Sequence, residues 1–285
     1  MSLLPTAVLR RLERLRVAPR HSRTNRSIGS HLRGRGGSSM EFADYRDYSA
    51  GDDTRFIDWN IYSRLRRPYV KLYHMEESLH VLVLVDSSTS MAYDGKLAMA
   101  QQLAAAFSVV ALRGGERLSI VADIPKLSPT TGIPAIPKAM QAIANIAAGG
   151  QEPIEAGIER ALRRHRGKGV AVLLSDFFSS GPLERACNVL HHSGLEIYAL
   201  QILSPAEISP DLSGDWRLED CETGAVVDVD SAETLSEIYL DHSERLQAEV
   251  AALCRQRHGR HMLVDSSESI SSVLFDRLLR QGWFR

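Results

Sequence analysis

Hydrophobic and polar positions along the chain follow two rhythms. Residues 79–85 (LHVLVLV) are apolar except for His80. The run is too short to cross a membrane, and its valine content suits a strand buried on both faces of a parallel sheet. Residues 169–174 repeat the pattern, and 195–203 and 261–264 read as further strands. Residues 117–124 alternate as a strand does, and the proline-rich stretch 125–137 has room for a hairpin. Helical spacing governs 96–112, with Leu97, Ala100, Leu103, Ala104, Phe107 and Val110 on one face and Gly114-Gly115 as its stop. Helices are also expected over 135–147, 153–164, 183–192, 234–258 and 269–281. Strands alternating with helices predict an α/β protein with a Rossmann-like, doubly wound, mainly parallel sheet. Between them, 216–220 and 225–229 are short alternating runs about Thr223-Gly224, expected as a β-hairpin appended to that sheet within an insertion at about 205–230.

Three segments follow from the composition shifts. Residues 1–40 form a basic arm: nine arginines face the single acid Glu13, a net charge of about +8 that leaves about −9 for the rest of a chain whose total is −1. Within it, Val8, Leu9, Leu12, Leu15 and Val17 have helical spacing, which predicts a short helix docked on the body with its arginines in water. A basic helix of this kind also suits an anionic membrane surface or nucleic acid, but 1–40 holds no Phe, Tyr or Trp to stack on a base. Residues 41–78 concentrate aromatics (Tyr45, Tyr48, Trp59, Tyr62, Tyr69, Tyr73) and charge. They are expected to pack on the core. Asp52, Asp53, Arg55, Asp58 and Trp59 are the candidates there for an ion-pair network or for partner binding, and no histidine or cysteine joins those carboxylates to make an enzyme site. Residues 79–285 carry the α/β domain.

The bulk numbers exclude little else. With 44% hydrophobic and 24% charged residues, the 285-residue chain is of ordinary globular composition. The three cysteines, Cys187, Cys221 and Cys254, lack metal-ligand spacing and form no disulfide framework, which fits a reducing cytoplasm. No stretch reads as a membrane span, and the amino-terminal apolar run is followed by arginines instead of a cleavage site.

The candidate chemistry stands where the buried strands stop. The run 79–85 ends in Asp86, followed by Ser87, Ser88, Thr89 and Ser90. Ligands of open α/β sheets sit beyond the carboxyl ends of the strands, so Asp86, Ser88 and Ser90 occupy the expected place. The strand at 169–174 ends likewise in Ser175-Asp176. Carboxylate and hydroxyl oxygens at one sheet edge suit a hard cation, Mg²⁺ or Mn²⁺. Aspartate and serine at such positions also serve simply as turn formers and helix caps.

Glu41-Phe42-Ala43-Asp44-Tyr45-Arg46, then Gly51-Asp52-Asp53, then Ile57-Asp58-Trp59, and finally Asp86-x-Ser88-x-Ser90 occur in one order along the chain. This series resembles the domain of unknown function 58 family (DUF58), whose members are similar to von Willebrand factor A domains and are often encoded beside MoxR-type AAA+ ATPases. The resemblance covers the chain from about residue 27 onward. It implies a metal-ion-dependent adhesion site (MIDAS) on a Rossmann-like sheet, a non-enzymatic role in protein interaction or chaperone-like assembly, and a MoxR-type ATPase as partner. By the same resemblance Ser88 and Ser90 ligate the ion directly, while Asp86 and Asp176 act through water. A neutral pair of direct ligands leaves the ion able to attract a carboxylate from a partner protein. Such sites take a further threonine from a loop; here that loop reads Gly149-Gly150-Gln151-Glu152, so Gln151 or Glu152 occupies its place, with Gln151 as the candidate ligand.

Two readings compete. A metal-dependent phosphohydrolase would use Asp86 as nucleophile, but the residue two positions on, where such enzymes keep a second aspartate, is Ser88. No G-x-S-x-G motif supports a serine hydrolase, and His80, His191, His192 and His261 show no partner spacing for a general base. The other reading is a tether to an anionic surface or nucleic acid through the amino-terminal arginines.

Overall fold

The computed structural model describes residues 3–19, 40–75, 78–123, 127–150, 154–163, 165, 167–178, 183–210, 216–219, 226–229 and 232–285. The chain divides into two compact units: Met1–Arg20 together with Leu79–Arg285, and His21–Ser78.

The larger unit is built on a six-stranded sheet of β3 (His80–Val85), β4 (Arg117–Val121), β5 (Leu127–Thr131), β6 (Gly169–Ser175), β7 (Leu195–Leu203) and β10 (Arg260–Asp265). Its order is β10-β7-β6-β3-β4-β5, parallel except for β5, which lies in the stretch 125–137 read as a proline-rich loop and returns antiparallel to β4. The fold is therefore mixed α/β with a mostly parallel central sheet. Strands β3, β6 and β7 are buried along their whole length, which is why their sequences read as unbroken apolar runs. Alternation appears in which layer each residue joins. Val81, Val83 and Val85 pack with α1 (Thr6–Leu12), α3 (Lys96–Arg113) and α4 (Ile136–Ala144). Leu82 and Leu84 pack with α5 (Ile154–Leu162), α6 (Leu183–His192) and α8 (Ala232–Gln256) on the other face. At the first register pair, a Cβ on Gly169 would lie 1.9 Å from the carbonyl oxygen of His80, so no larger residue can hold β6 this close to β3.

Several expectations need correction. Helix α3 is buried on nearly every side instead of along one face, because α1 and α4 lie over the side away from the sheet. Among the described residues, Thr89–Arg113 is the one helical stretch long and apolar enough to cross a membrane, and 72% of its most apolar window is buried inside the protein. The closing helix of 269–281 is π-helical over Ser272–Leu278. The predicted hairpin exists as β8 (Trp216–Glu219) and β9 (Val226–Val229), but it forms its own two-stranded sheet and adds no strand to the six. Helix α1 docks as anticipated: Val8 and Leu12 are buried, and the Arg11 guanidinium lies 3.5 Å above the centre of the Phe275 ring.

In the smaller unit, β1 (Met40–Asp47) pairs antiparallel with β2 (Tyr69–Met75), and α2 (Trp59–Leu65) lies between them in sequence. The sequence reading assigned no strand or helix here.

Candidate functional site

Strand order reverses between β3 and β6: after β3 the chain builds β4 and β5 on one side, then returns to lay β6 and β7 on the other. A switch point of this kind leaves a crevice at the carboxyl ends of the two central strands. Asp86 and Asp176 are the first residues past those ends.

Asp86 is buried, and each of its oxygens accepts a hydrogen bond. The Ser88 backbone N–H donates to Oδ1 at 2.9 Å, and the Ser175 hydroxyl donates to Oδ2 at 2.5 Å. Ser175 Oγ in turn accepts from the Phe177 N–H at 2.9 Å. Asp86 thus fixes the turn after β3 and ties it to the end of β6. The turn leaves Ser88 and Ser90 half-exposed with their Oγ atoms 3.0 Å apart, while Thr89 faces solvent and Met91 is buried.

The loop that carries the candidate Gln151 reaches the same rim. The Gly150 N–H donates to the Ser87 carbonyl at 2.8 Å, and a Cβ on Gly150 would come within 2.8 Å of Ser87 Oγ and 3.0 Å of Asp123. Gln151 itself lies outside the described residues.

Asp176 is engaged elsewhere. Its Oδ1 accepts from the Phe178 N–H at 3.1 Å, and its Oδ2 pairs with the Lys96 ammonium at 2.9 Å. Lys96 is fully buried and reaches a second carboxylate, Glu207, at 2.6 Å. Glu207 also closes a capping box with Ser204 at the start of α7 (Pro205–Ile208). Burial works against the ammonium, but Asp176 and Glu207 outweigh it and hold the amine above its ordinary range. The phenol of Tyr239 is pushed up to about 12 by burial first and then by the negative charge of Glu207 and Asp176. Lys96 and Glu207 were not among the residues singled out from sequence. The available signal was a lysine opening an otherwise apolar helix, where the helix dipole disfavours positive charge.

The two serine hydroxyls hydrogen-bond to each other at 3.0 Å. Adjacent ligands of an octahedral ion at about 2.1 Å stand about as far apart. Asp86, each of whose oxygens already accepts one hydrogen bond and keeps a further lone pair, suits a role through water. Among the described residues no group of three or more His, Cys, Asp or Glu side chains is placed to hold a metal. Any ion here would rest on hydroxyls.

The candidates of the smaller unit are largely occupied in building it. Asp52 pairs with Arg46 at 2.8 Å and accepts the Ser49 N–H, and these contacts hold its carboxyl below the usual range. Asp53 accepts the Arg55 backbone N–H and pairs with its guanidinium at 2.6 Å, which brings it down to about 2. Asp58 caps α2 through the Asn60 and Ile61 N–H groups, pairs with Lys71 at 3.0 Å and accepts the Tyr45 hydroxyl at 3.1 Å. Trp59 is the exception: it is 61% exposed, with Tyr62 edge-on at 5.9 Å between ring centres.

Comparison with known proteins adds a family. A model of a protein of unknown function, DUF58, matches residues 44–249. The chain belongs to the DUF58 family. Relatives of this DUF58 protein include the uncharacterized proteins Mb1516 of Mycobacterium bovis and Rv1480 of Mycobacterium tuberculosis, each 28% identical over 244 residues, covering 80% of this chain and 75% of the relative. Among solved structures, the conserved hypothetical protein BatB from Bacteroides thetaiotaomicron aligns with a TM-score of 0.42 at 14% identity, over 71% of this chain and 98% of that one. An aerotolerance-related membrane protein from Bacteroides fragilis aligns at 0.42 and 19%, over 72% and 98%.

Proposed function

We propose that this DUF58 protein is a non-enzymatic, divalent-cation-dependent protein-interaction module of the von Willebrand factor A type. Ser88 and Ser90 would hold Mg²⁺ or Mn²⁺, with Asp86 beside them acting through water, and a carboxylate of a partner protein would complete the ion's ligands. The carrying observation is the pair of serine hydroxyls, hydrogen-bonded to each other at 3.0 Å on a turn that Asp86 anchors through the Ser88 N–H at the sheet's switch point. The ion would supply the attraction for the partner's acid; the chain's own residues orient it and break no bond. The buried state of Asp86, with both oxygens already accepting, disfavours the nucleophile of a phosphohydrolase. The family resemblance nominates a MoxR-type AAA+ ATPase as the acid-bearing partner. Cys187 and Cys254, both buried, fit a reducing cytoplasm.

The test is calorimetric titration with Mg²⁺ and Mn²⁺ of the wild type and of a Ser88→Ala/Ser90→Ala variant, run beside a phosphatase assay. Binding that disappears in the variant, with no turnover in either protein, supports the module. Turnover abolished by Asp86→Asn would replace it with the enzyme.

A further inference from the structure

We propose that Lys96 is a built-in counter-cation that competes with the divalent ion for Asp176 and thereby keeps the site's affinity low. The inference rests on the cation reading above and deepens it to the site's regulation.

The geometry makes the lysine a permanent part of the rim. Its ammonium is fully buried, 2.9 Å from Asp176 and 2.6 Å from Glu207, at the first residue of α3. Removing an ammonium from water is costly, and the positive end of the helix dipole adds to that cost. Two carboxylates are what offset it. Asp176 is bound just as tightly from its own side. Its second oxygen accepts the Phe178 N–H, and its backbone carbonyl accepts Gln201 Nε2 at 3.1 Å.

Two consequences follow for an ion held by Ser88 and Ser90. Asp176 offers less negative charge, because an ammonium in direct contact offsets part of it. Direct ligation by Asp176 would break the Lys96 contact and leave the ammonium with Glu207 alone. The ion therefore depends on neutral hydroxyls and the outer field of Asp86. It is held weakly, and its charge stays available to a partner's acid. Glu207 caps α7, so the same lysine joins the cation rim to the segment that leads into β8 and β9.

The experiment is Mg²⁺ and Mn²⁺ titration calorimetry on wild type, Lys96→Met and Lys96→Met/Glu207→Gln, with folding checked by circular dichroism. The double variant removes one charge of each sign, so it leaves the net charge of the cluster unchanged and frees Asp176 alone. It also carries the test if the single variant does not fold. Tightening on the order of tenfold or more in the double variant supports competition for Asp176. Tightening in the single variant that vanishes in the double one would reduce the effect to overall field and overturn the proposal. Unchanged or weaker affinity in the double variant overturns it too, while leaving the cation reading intact. No binding to any of the three proteins would remove the cation reading itself.

Discussion

His80 Nδ1 lies 2.7 Å from His165 Nδ1, with both rings buried and nearly coplanar. His165 Nε2 is 3.0 Å from the Ser193 carbonyl, which can only accept, so that nitrogen carries a proton. One proton lies between the two Nδ1 atoms, and His80 Nε2 is 2.8 Å from the Ser119 hydroxyl. The His80 ring is fully buried between these neighbours, where a charge on it would be poorly solvated.

Acid should therefore destabilise the larger unit. Burial first, then the positive charge of Arg117 and His165, hold His80 down at about 3, against 6.5 in water. Below pH 6.5 the unfolded chain binds a proton that the folded chain refuses. Stability is thus intact above 6.5 and falls as pH drops toward 3. From His80 alone the loss between pH 7 and pH 5 is about 2 kcal/mol. His261, brought down to about 4 by burial and then Arg255, adds in the same direction. Urea denaturation at the two pH values measures the total, and a His80→Gln variant should show a shallower dependence.

Ser175→Ala removes the donor to Asp86 Oδ2 and leaves a buried carboxylate oxygen without its partner. A loss of about 1–3 kcal/mol in stability is expected. Because the turn holding Ser88 loses one anchor, Mg²⁺ affinity should fall as well; denaturation and calorimetry on the same sample separate the two effects.

Gly150→Ala presses a methyl group against Ser87 and Asp123 at 2.8–3.0 Å. The loop must shift at the rim, at a cost of about 1–3 kcal/mol. Gly149→Ala, where nothing lies within 4 Å but φ is +97°, should instead act through backbone strain. Comparing the pair by Mg²⁺ titration reads whether the loop's closeness to Ser87 matters to the site.

In the smaller unit, Trp59→Ala should leave stability within about 0.5 kcal/mol, because the ring is mostly in solvent. Asp58→Asn should loosen α2, read as faster hydrogen exchange at the Asn60 and Ile61 amides that its carboxylate now accepts from. If partner capture is lost with Trp59→Ala while the fold is retained, the exposed ring is a contact residue.

Legibility in the sequence followed the range of the forces involved. Strand β3 and helices α6 and α8 could be read to within a few residues because burial on one or two faces writes itself into local periodicity. Helix α3 looked one-sided because nothing near it in sequence announces that α1, some ninety residues earlier in the chain, covers its outer face. Strands β1 and β2 were missed: the aromatics and charges that mark them were read as an arm, although Tyr69-Val70-Lys71-Leu72 carries a period of two. At the rim, Asp86, Ser88 and Ser90 are neighbours in sequence and could be grouped at once. Lys96, Asp176 and Glu207 meet only through the fold, and no spacing foretells an ion pair across 111 residues.

Residues 16 and 285 exchange backbone hydrogen bonds at 2.8 and 2.9 Å, and Val17 bridges Phe284 beside them. The stretch around Val17 is therefore made long before its partner and finds it only once Phe284 has emerged, so the larger unit is sealed late in its own synthesis.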